Sequence, residues 1–414
     1  MKKVAIIGAG IIGLSTCHHL QKRGYQVTLY DDQEPGSGTS FGNAGLIANY
    51  ATTPLANIDT LRQMPGNLVR RDRSISIDIT YTHALAGFGY RFLNAARKSS
   101  FSANKAVLID IIGRAIIAND ALIDDVDADD YCTQNGCLQV IRSDREASKK
   151  LQAAAKDKQA DGVVCQILTR EEVLALEPVL NPSHLEGGVY YPDTKHLKSP
   201  ETFSRCIYRH LQENHLHHIK EKVTGITQDR QGHCRVDTEA GALEYDHLVL
   251  CAGIGNNHFL TQLGITLPVV SERGYHIMLD DQAIKLNRPV GWLEHFFYAS
   301  PMQEGIRLAG TTEFASPHKA ANPKRFKQLE AWSRELFDAE VWVTSEWVGA
   351  RHSTPDGLPV IGRLPDFNNI LVAYGHGHLG LTLAGFTGDL VGTLLESNVE
   401  AVHGEALSPR RFTS

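Results

Sequence analysis

The chain has 414 residues, of which 42% are hydrophobic and 21% are charged, and its formal net charge is −6. This length exceeds one compact core of usual size, so we expect two domains or one elaborated α/β unit. The acidic balance and the absence of a basic stripe argue against nucleic acid as a partner. No apolar run reaches the roughly 18 residues that a membrane-spanning helix needs, so we expect none.

Seven cysteines are spread along the chain without a CxxC pair. This pattern predicts buried thiols in a reducing compartment, and therefore a cytoplasmic protein. The one histidine-rich stretch, HLHH at residues 215–218, is interpreted as a polar helix end. No metal site is predicted.

The chain opens with a β–α–β pattern. KKVAIIG is typical of a buried strand ending at Ile7, and IIGLSTCHHLQKRG predicts a helix closed by Gly24. YQVTLYD predicts a second strand, which ends at Asp31. We therefore expect a parallel sheet that begins at the first residues of the chain.

Three glycines follow the first strand in the pattern GxGxxG, at positions 8, 10 and 13. The first permits a tight turn, the second lets the backbone approach a pyrophosphate, and the third lets the helix pack closely on the strand. Asp31 ends the next strand, where a carboxylate accepts hydrogen bonds from a ribose. The pattern predicts a dinucleotide site for NAD or FAD.

The loop after Asp31 favours FAD. QEPGSGTSFGNAGLI, residues 33–47, is rich in small residues, N–H groups and hydroxyl groups that suit a diphosphate and a flavin. An NAD-dependent enzyme more often continues directly into its next helix. An NAD-linked dehydrogenase of similar fold is nevertheless left open.

The middle of the chain predicts helices between residues 60 and 160, and a further helix begins at a capping-box pattern of Thr169 and Glu172. Strands and helices alternate from residue 190 onward. No internal repeat or low-complexity linker separates these elements. We therefore expect interleaved domains, with the chain crossing between them several times.

A second glycine-rich loop lies near the end of the chain. YGHGHLGLTLAG, residues 374–385, runs into an apolar helix pattern. Glycine is costly in ordered structure because it loses much conformational freedom on folding. The loop therefore indicates that a large group comes very close to the backbone there.

Four motifs in order carry a resemblance to a known family: VAIIGAGIIGLSTCHHLQKRGYQVTLYD, GTSFGNAG, GARHSTPDGLPVIG and GHGHLGLTLAG. The chain resembles the FAD-dependent amino-acid oxidoreductases, which include D-amino-acid oxidase, glycine oxidase and sarcosine oxidase. It looks most similar to the bacterial D-amino-acid dehydrogenases. The resemblance covers both ends of the chain, whereas residues 50–190 match only in general pattern.

The resemblance implies an α/β fold with two interleaved domains. A Rossmann-like FAD-binding domain is expected from residues 1–85, 190–262 and 346–414. An α+β substrate domain built on an antiparallel sheet is expected from residues 86–189 and 263–345.

The resemblance also implies FAD held without a covalent bond, with each motif contacting one part of it. The first glycine motif would hold the pyrophosphate, the acidic strand end the ribose, and the second motif the diphosphate and flavin. Val223 and residues 250–253 would lie on the adenine side and beneath the dinucleotide. A helix beginning near Leu381 would direct its N-terminus at flavin N1 and O2. The residues expected to contact FAD are Gly8, Ala9, Gly10, Ile11, Ile12, Gly13, Asp31, Asp32, Thr39, Ser40, Asn43, Ala44, Gly45, Val223, Cys251, Ala252, Gly253, Gly375, Gly377, His378, Leu379, Gly380, Leu381 and Thr382.

Four further residues are candidates for the chemistry. Arg351 matches the family's carboxylate-binding arginine, whose planar fork suits a carboxylate. Tyr275 and Tyr298 are expected to wall the pocket or donate a hydroxyl, with packing in the core as the alternative for each. His376 is expected near the flavin. His352 stands where relatives usually have proline, a departure that we expect to reshape the loop.

The implied reaction is oxidative deamination of a D-amino acid, with hydride transfer from Cα to flavin N5 and hydrolysis of the imine to a 2-oxo acid. A cyclic imino acid such as D-proline or hydroxyproline, sarcosine, or an opine is the alternative substrate. The chain is also compatible with a subunit of a larger complex that is inactive alone. A quinone or a partner protein is the expected electron acceptor, rather than NAD, and peripheral contact with the inner face of the cell membrane is left open.

Overall fold

The computed structural model describes residues 1–58, 74–396 and 403–413. Its strands are β1 (Lys3–Ile7), β2 (Gln26–Tyr30), β3 (Leu46–Ile47), β4 (Ile75–Ile77), β5 (Cys132–Thr133), β6 (Cys137–Arg142), β7 (Gln166–Thr169), β8 (Leu185–Tyr191), β9 (Lys195–Leu197), β10 (His217–Ile219), β11 (Val223–Gln228), β12 (Cys234–Thr238), β13 (Gly241–Tyr245), β14 (His247–Leu250), β15 (Val270–Leu279), β16 (Val290–Trp292), β17 (Phe297–Met302), β18 (Gly305–Phe314), β19 (Val343–Ser353), β20 (Val360–Leu364) and β21 (Phe367–Tyr374). Its α-helices are α1 (Ile11–Lys22), α2 (Thr82–Ala95), α3 (Lys98–Asp125), α4 (Ala147–Ala160), α5 (Arg170–Leu176), α6 (Pro200–Glu213), α7 (Asn256–Gln262), α8 (Pro323–Leu336), α9 (Ala384–Glu396) and α10 (Gly404–Leu407).

A six-stranded sheet contains the N-terminal β–α–β unit, in the order β10-β2-β1-β14-β21-β20. Its strands are parallel except β20, which pairs with β21 in the antiparallel sense. Helices α1, α3, α6 and α9 share a core on one face, while β11, β12 and α7 cover the other. Burial on both faces explains why β1 and β14 are continuous apolar runs. The predicted Rossmann-like sheet is confirmed.

A second, mainly antiparallel sheet has the order β19-β15-β18-β17-β16-β6-β8-β7, with β4 paired to β18. Helix α8 packs on one face, where Tyr275 and Ile277 of β15 join Phe326 and Trp332 in a buried cluster. Because side chains alternate along a strand, residues 272, 274 and 276 of β15 lie on the opposite face. That second face is turned toward the loops of the parallel sheet. The predicted antiparallel sheet is therefore also present.

The structure places three segments differently from the predicted domain boundaries. Strand β19 pairs with β15 from Val343 to Ser353, so residues 346–353 lie in the antiparallel sheet, and β4 lies there as well. Helix α3 was expected in the substrate domain, but its apolar side packs against α9 in the core that covers the parallel sheet. The boundaries were wrong here because an amphipathic segment shows that it is buried, and not which sheet buries it.

The contact between α3 and α9 is made at glycine. A Cβ atom at Gly385 would lie 2.7 Å from the carbonyl carbon of Ala118, in the middle of α3. The side chain of Asn119 donates to the carbonyl oxygen of Thr382 at 2.7 Å and accepts from the amide of Gly385 at 2.9 Å. Asn119 therefore caps α9 from the neighbouring helix, because it satisfies an amide that the first turn leaves without a partner.

All seven cysteines are free thiols, and six of them are buried. Within residues 1–58, 74–396 and 403–413, no helix combines the length and the apolar character that crossing a membrane requires.

We predict that Gly385→Ala destabilises the protein by about 1–3 kcal/mol, because the added methyl group would overlap the backbone of α3. Gly113→Ala is the matched control, since Gly113 lies within the same α3 and a Cβ atom there meets nothing within 4 Å. The control should gain about 0.5–1 kcal/mol from helix propensity. Denaturant unfolding of the two variants measures both changes, and equal shifts in one direction would contradict this packing.

Candidate functional site

The first glycine motif closes tightly on the turn that follows β14. Gly8 has a φ of +109°, and a Cβ atom there would lie 2.6 Å from the carbonyl oxygen of Cys251. A Cβ atom at Gly13 would lie 1.8 Å from the carbonyl oxygen of Gly8. Only glycine fits both positions, so the backbone alone forms the surface of this turn. Residues 251 and 252 lie directly against this turn, and their predicted position beneath the dinucleotide stays a prediction.

Asp31 follows the end of β2, beside the same turn. Its carboxylate accepts hydrogen bonds from the amides of Ala9 at 2.6 Å and Gln33 at 2.9 Å. Burial raises the pKa of the Asp31 carboxyl, and these two amide donors oppose that rise. The side chain is therefore held at the strand end, in the position from which it would reach a ribose. Asp32 beside it is exposed.

The second motif connects the two sheets. The hydroxyl of Ser40 accepts a hydrogen bond from the amide of Ile11 at 2.9 Å, at the start of α1. The hydroxyl of Thr39 donates to the carbonyl oxygen of Ala350 in β19 at 2.8 Å. Loop 39–45 is thus anchored to both domains. Val223 begins β11 on the far side of the parallel sheet.

The C-terminal glycine loop presents three consecutive amides. Gly375 and Gly377 adopt positive φ angles of 78° and 55°. The amides of Gly380, Leu381 and Thr382 donate no hydrogen bond within the described part of the chain, whereas those of Leu379 and Leu383 do. Neighbouring free N–H groups of this kind stabilise negative charge on a bound group.

Helix α9 begins at Ala384, three positions after the start that was predicted near Leu381. The prediction was wrong because Asn119 binds the carbonyls of Leu381 and Thr382 and so holds these residues in turns. The hydroxyl of Thr382 also accepts from the amide of Ala48 at 3.0 Å. The free amides of the turn, and not the first amides of the helix, are therefore available to a ligand.

A cleft lies between this loop and the antiparallel sheet. One part of its lining is polar and the rest is apolar. The polar part includes Glu272, Ser353 and His378, and the apolar part includes Pro54, Leu55, Phe88, Phe92, Leu108 and Phe314.

Arg351 lies next to this cleft, on β19 opposite Glu272 of β15. Its guanidinium donates to a carboxylate oxygen of Glu272 at 3.2 Å. The same guanidinium lies across Gly274, where a Cβ atom would be 2.2 Å from a guanidinium nitrogen. Arg351 thus occupies a partly open position beside the cleft, and its role in binding a carboxylate stays a prediction.

Glu272 is buried and has three donors. The hydroxyl of Thr312 donates to one carboxylate oxygen at 3.1 Å, and the hydroxyl of Ser353 donates to the other at 2.6 Å. Burial acts to raise the pKa of this carboxyl, but Arg351, the Ser353 hydroxyl, the nearby His378 and the Thr312 hydroxyl together outweigh it and hold the pKa below its usual value. Glu272 is therefore an ionised carboxylate inside the cleft.

Tyr275 was predicted in the site, and the structure contradicts this. Its hydroxyl donates to Glu313 at 2.5 Å, and its ring packs edge-on against Phe326 of α8. Tyr275 lies three positions after Glu272 on the same strand. Because side chains alternate between the two faces of a strand, Tyr275 points to the sheet face away from the cleft. It is a core residue.

Tyr298 lies on the inward face of β17. Its ring covers Gly291, and its hydroxyl accepts from Gln139 at 2.5 Å. It packs in one cluster with Ala44 and Tyr50, next to the second motif. A role for Tyr298 in the site stays a prediction.

His376 lines the cleft, but its side chain is neutral. Burial, with a further contribution from His352, lowers the pKa of His376 to about 3, so the imidazole is neutral. Its Nε2 atom lies 2.9 Å from the hydroxyl of Thr387 in α9. These contacts give His376 a packing role beneath the glycine loop and make it unsuitable as a general acid.

His352, which stands where relatives usually have proline, makes contacts through its imidazole ring. Its Nδ1 atom accepts a hydrogen bond from the amide of Gly375 at 2.7 Å, and its ring lies 3.2 Å from the position of a Cβ atom at Gly253. Burial lowers its pKa to about 4, which keeps this nitrogen free to accept. His352 therefore links the turn after β14 to the glycine loop, a contact that proline lacks.

Several residues of the site were missed from the sequence. Trp347 stacks on His276 with ring centroids 5.0 Å apart and lies against Gly42. Arg307 donates to the carbonyl oxygens of Phe41 and Asn43, both at 2.7 Å. With Glu272, these residues share the inward face of β15, β18 and β19. The alternation of side chains along each strand could be predicted from the sequence, but the register that aligns the three strands could not.

The chain matches the family described as FAD dependent oxidoreductase over residues 3–394. It belongs to this family. The predicted cofactor, FAD rather than NAD, and the predicted oxidoreductase class are thereby confirmed. The glycine turns without room for a Cβ atom, the acidic strand end and the three free amides fit such a cofactor. Contacts of individual residues with FAD stay predictions.

Relatives of similar length support this membership. The chain is 27% identical over 419 residues to a D-amino-acid oxidase of Bradyrhizobium diazoefficiens, covering 99% of both chains. It is 29% identical over 406 residues to a D-amino acid dehydrogenase of Vibrio vulnificus, covering 95% of both. The structure of glycine oxidase from Geobacillus kaustophilus superposes with a TM-score of 0.75 at 21% identity, covering 99% of this chain and 98% of that one.

We predict that Gly8→Ala abolishes FAD binding, because its methyl group would collide with the carbonyl of Cys251 and distort the turn that is predicted to hold the pyrophosphate. Gly24→Ala is the control: Gly24 has a similar positive φ of 79°, but a Cβ atom there meets nothing within 4 Å. The control should retain the flavin absorbance of the purified wild-type protein. Loss of flavin from both variants would mean that backbone strain, and not the turn, controls binding.

Proposed function

We propose that this protein oxidises the Cα–N bond of a D-amino acid, with FAD as the two-electron acceptor, and releases an imine that water hydrolyses to a 2-oxo acid and ammonia. The observation that carries this proposal is the position of Arg351, a partly open guanidinium between the antiparallel sheet and the glycine loop. The names of the two curated relatives support the D-amino acid as substrate class.

FAD would be held without a covalent bond along the surface that the glycine motifs leave open. The turn at residues 8–13 would hold its pyrophosphate, Asp31 its ribose, and loop 39–45 its diphosphate and flavin. The free amides of residues 380–382 would face flavin N1 and O2. When bound there, FAD supplies the acceptor for a hydride from the substrate Cα.

Arg351 would anchor the substrate. One of its terminal nitrogens already binds Glu272, and a guanidinium carries five N–H donors in a fixed fork. The remaining donors can bind both oxygens of a substrate carboxylate. This contact would hold Cα at a fixed distance from the acceptor, and positioning of this kind lowers the barrier without a covalent intermediate.

The rest of the cleft would exclude water and receive the substrate side chain. Phe88, Phe92 and Phe314 line it with apolar surface. An apolar, enclosed site also strengthens the electrostatic contact between Arg351 and the carboxylate. His376 is neutral and already hydrogen-bonded to Thr387, so it would support the loop and take no part in proton transfer.

The electron acceptor is proposed to be a quinone or a partner protein. The two named relatives include one oxidase and one dehydrogenase, so the acceptor has to be tested directly. We propose a cytoplasmic protein, with contact at the inner face of the cell membrane if the acceptor is a membrane quinone.

The test is an anaerobic mixing experiment that follows flavin absorbance. The ligands are D- and L-amino acid pairs, D-proline, hydroxyproline isomers, glycine, sarcosine and an opine. We expect bleaching by D-amino acids and not by their L-enantiomers, and admission of air or of a quinone then identifies the acceptor. Bleaching only by a cyclic imino acid, by sarcosine or by an opine would replace the proposed substrate, and no bleaching by any ligand would contradict the proposal.

The same experiment tests Arg351. Arg351→Lys keeps the charge but loses the planar fork, so we expect the substrate concentration for half-maximal bleaching rate to rise by about 10- to 100-fold. The flavin spectrum of the purified variant is the control for cofactor binding. An unchanged half-saturation would place the carboxylate elsewhere.

A further inference from the structure

Glu272 is a buried carboxylate in the cleft that the proposed role of Arg351 does not require. We propose that Glu272 is a specificity-determining residue that binds the substrate's amino group, so that the site selects an amino acid over a carboxylic acid that lacks this group. The apolar walls of the cleft would in addition select an amino acid with a nonpolar side chain. This inference rests on the proposed function and names the substrate class within it.

The hydrogen-bonding capacity of Glu272 leaves one position open. An ionised carboxylate has two acceptor positions on each oxygen. Arg351 and Thr312 fill both positions on Oε1, and Ser353 fills one on Oε2. The second position on Oε2 receives no donor from the described residues, and Glu272 lines the cleft. An N–H group of a ligand in the cleft can occupy it.

The charges of Glu272 in the cleft and of Arg351 beside it favour a zwitterion. Arg351 and Glu272 carry opposite charges and pair with each other at 3.2 Å. A bound carboxylate alone would leave this buried cluster with an excess negative charge, which is costly away from water. An amino acid brings a carboxylate for Arg351 and an amino group for Glu272, so both charges stay compensated.

The other residues that line the cleft indicate which substrate side chain it can accept. Among the described residues that line the cleft, Glu272 is the one carboxylate, and neither lysine nor arginine is present. Phe88, Phe92, Leu108 and Phe314 provide the apolar surface. A charged substrate side chain would lose its water there, and besides Glu272 the polar lining consists of hydroxyls and of the imidazoles of His376 and His378, whose pKa values are lowered by burial, so no fixed opposite charge compensates it. Since Glu272 is directed to the amino group, the cleft fits a nonpolar side chain.

The experiment compares Glu272→Gln with the wild-type holoenzyme on two ligands that differ only in the amino group. D-Valine and isovalerate form such a pair. Anaerobic flavin reduction at increasing D-valine gives its apparent Kd, and perturbation of the flavin spectrum gives the Kd of isovalerate. We expect the D-valine Kd to rise about tenfold or more, because a hydrogen bond to a charged group is lost, while isovalerate binds equally well or more tightly.

Each other outcome overturns the proposal in a recognisable way. Equal weakening of both ligands would mean that Glu272 only positions Arg351. An unchanged Kd for both ligands would mean that Glu272 takes no part in binding either of them. A loss confined to D-lysine or D-arginine would show that it binds a side chain. Failure of the proposed function is distinct, because then no D-amino acid reduces the wild-type flavin.

Two further variants keep the test decisive if Glu272→Gln loses its flavin. Thr312→Val removes one donor to the same carboxylate and leaves its charge, so the ratio of the two Kd values should stay as in the wild type. Glu272→Asp withdraws the carboxylate by one methylene group. It should weaken D-valine more than isovalerate, and an equal change in both would contradict the proposal.

Discussion

The antiparallel pairing of β15 with β19 is the constraint on which the site depends. Its register sets Arg351 opposite Glu272, Gly349 opposite Gly274, and Trp347 opposite His276. A shift by one residue would turn all of these side chains to the face that α8 covers. The two glycines leave space for the large side chains beside them. This one pairing therefore places Glu272 beside Arg351 and also places Trp347 against Gly42.

The two domains meet through backbone as much as through side chains. Thr39 binds the carbonyl of Ala350, His352 binds the amide of Gly375, and Arg307 holds the carbonyls of Phe41 and Asn43. These contacts position the loops that would surround FAD from the substrate side. In the proposed site, the position of the substrate relative to the cofactor would thus be fixed by a few hydrogen bonds between otherwise separate cores.

Much of the parallel sheet could be predicted from the sequence, because its information is local. The strand ending at Ile7, the helix from Ile11 and the acid at position 31 follow from apolar runs and glycine spacing, and the structure contains all three. The start of α9 was missed because it depends on Asn119, which is distant in the sequence.

The substrate side was harder to predict because it depends on strand register. Tyr275 and Glu272 lie three positions apart on one strand, yet one packs under α8 and the other lines the cleft. The sequence shows the alternation but not which phase faces the cofactor. Glu272 could not be recognised as a site residue from the sequence, because its contact with Arg351 depends on the pairing of β15 with β19.

The most direct measurement is a crystal structure of the FAD-containing protein with isovalerate bound. We predict that both carboxylate oxygens bind the guanidinium of Arg351, with the apolar tail toward Phe88 and Phe314. The Oε2 atom of Glu272 should then be open toward the position of the missing amino group. A carboxylate bound elsewhere, with Arg351 still paired to Glu272 alone, would contradict it.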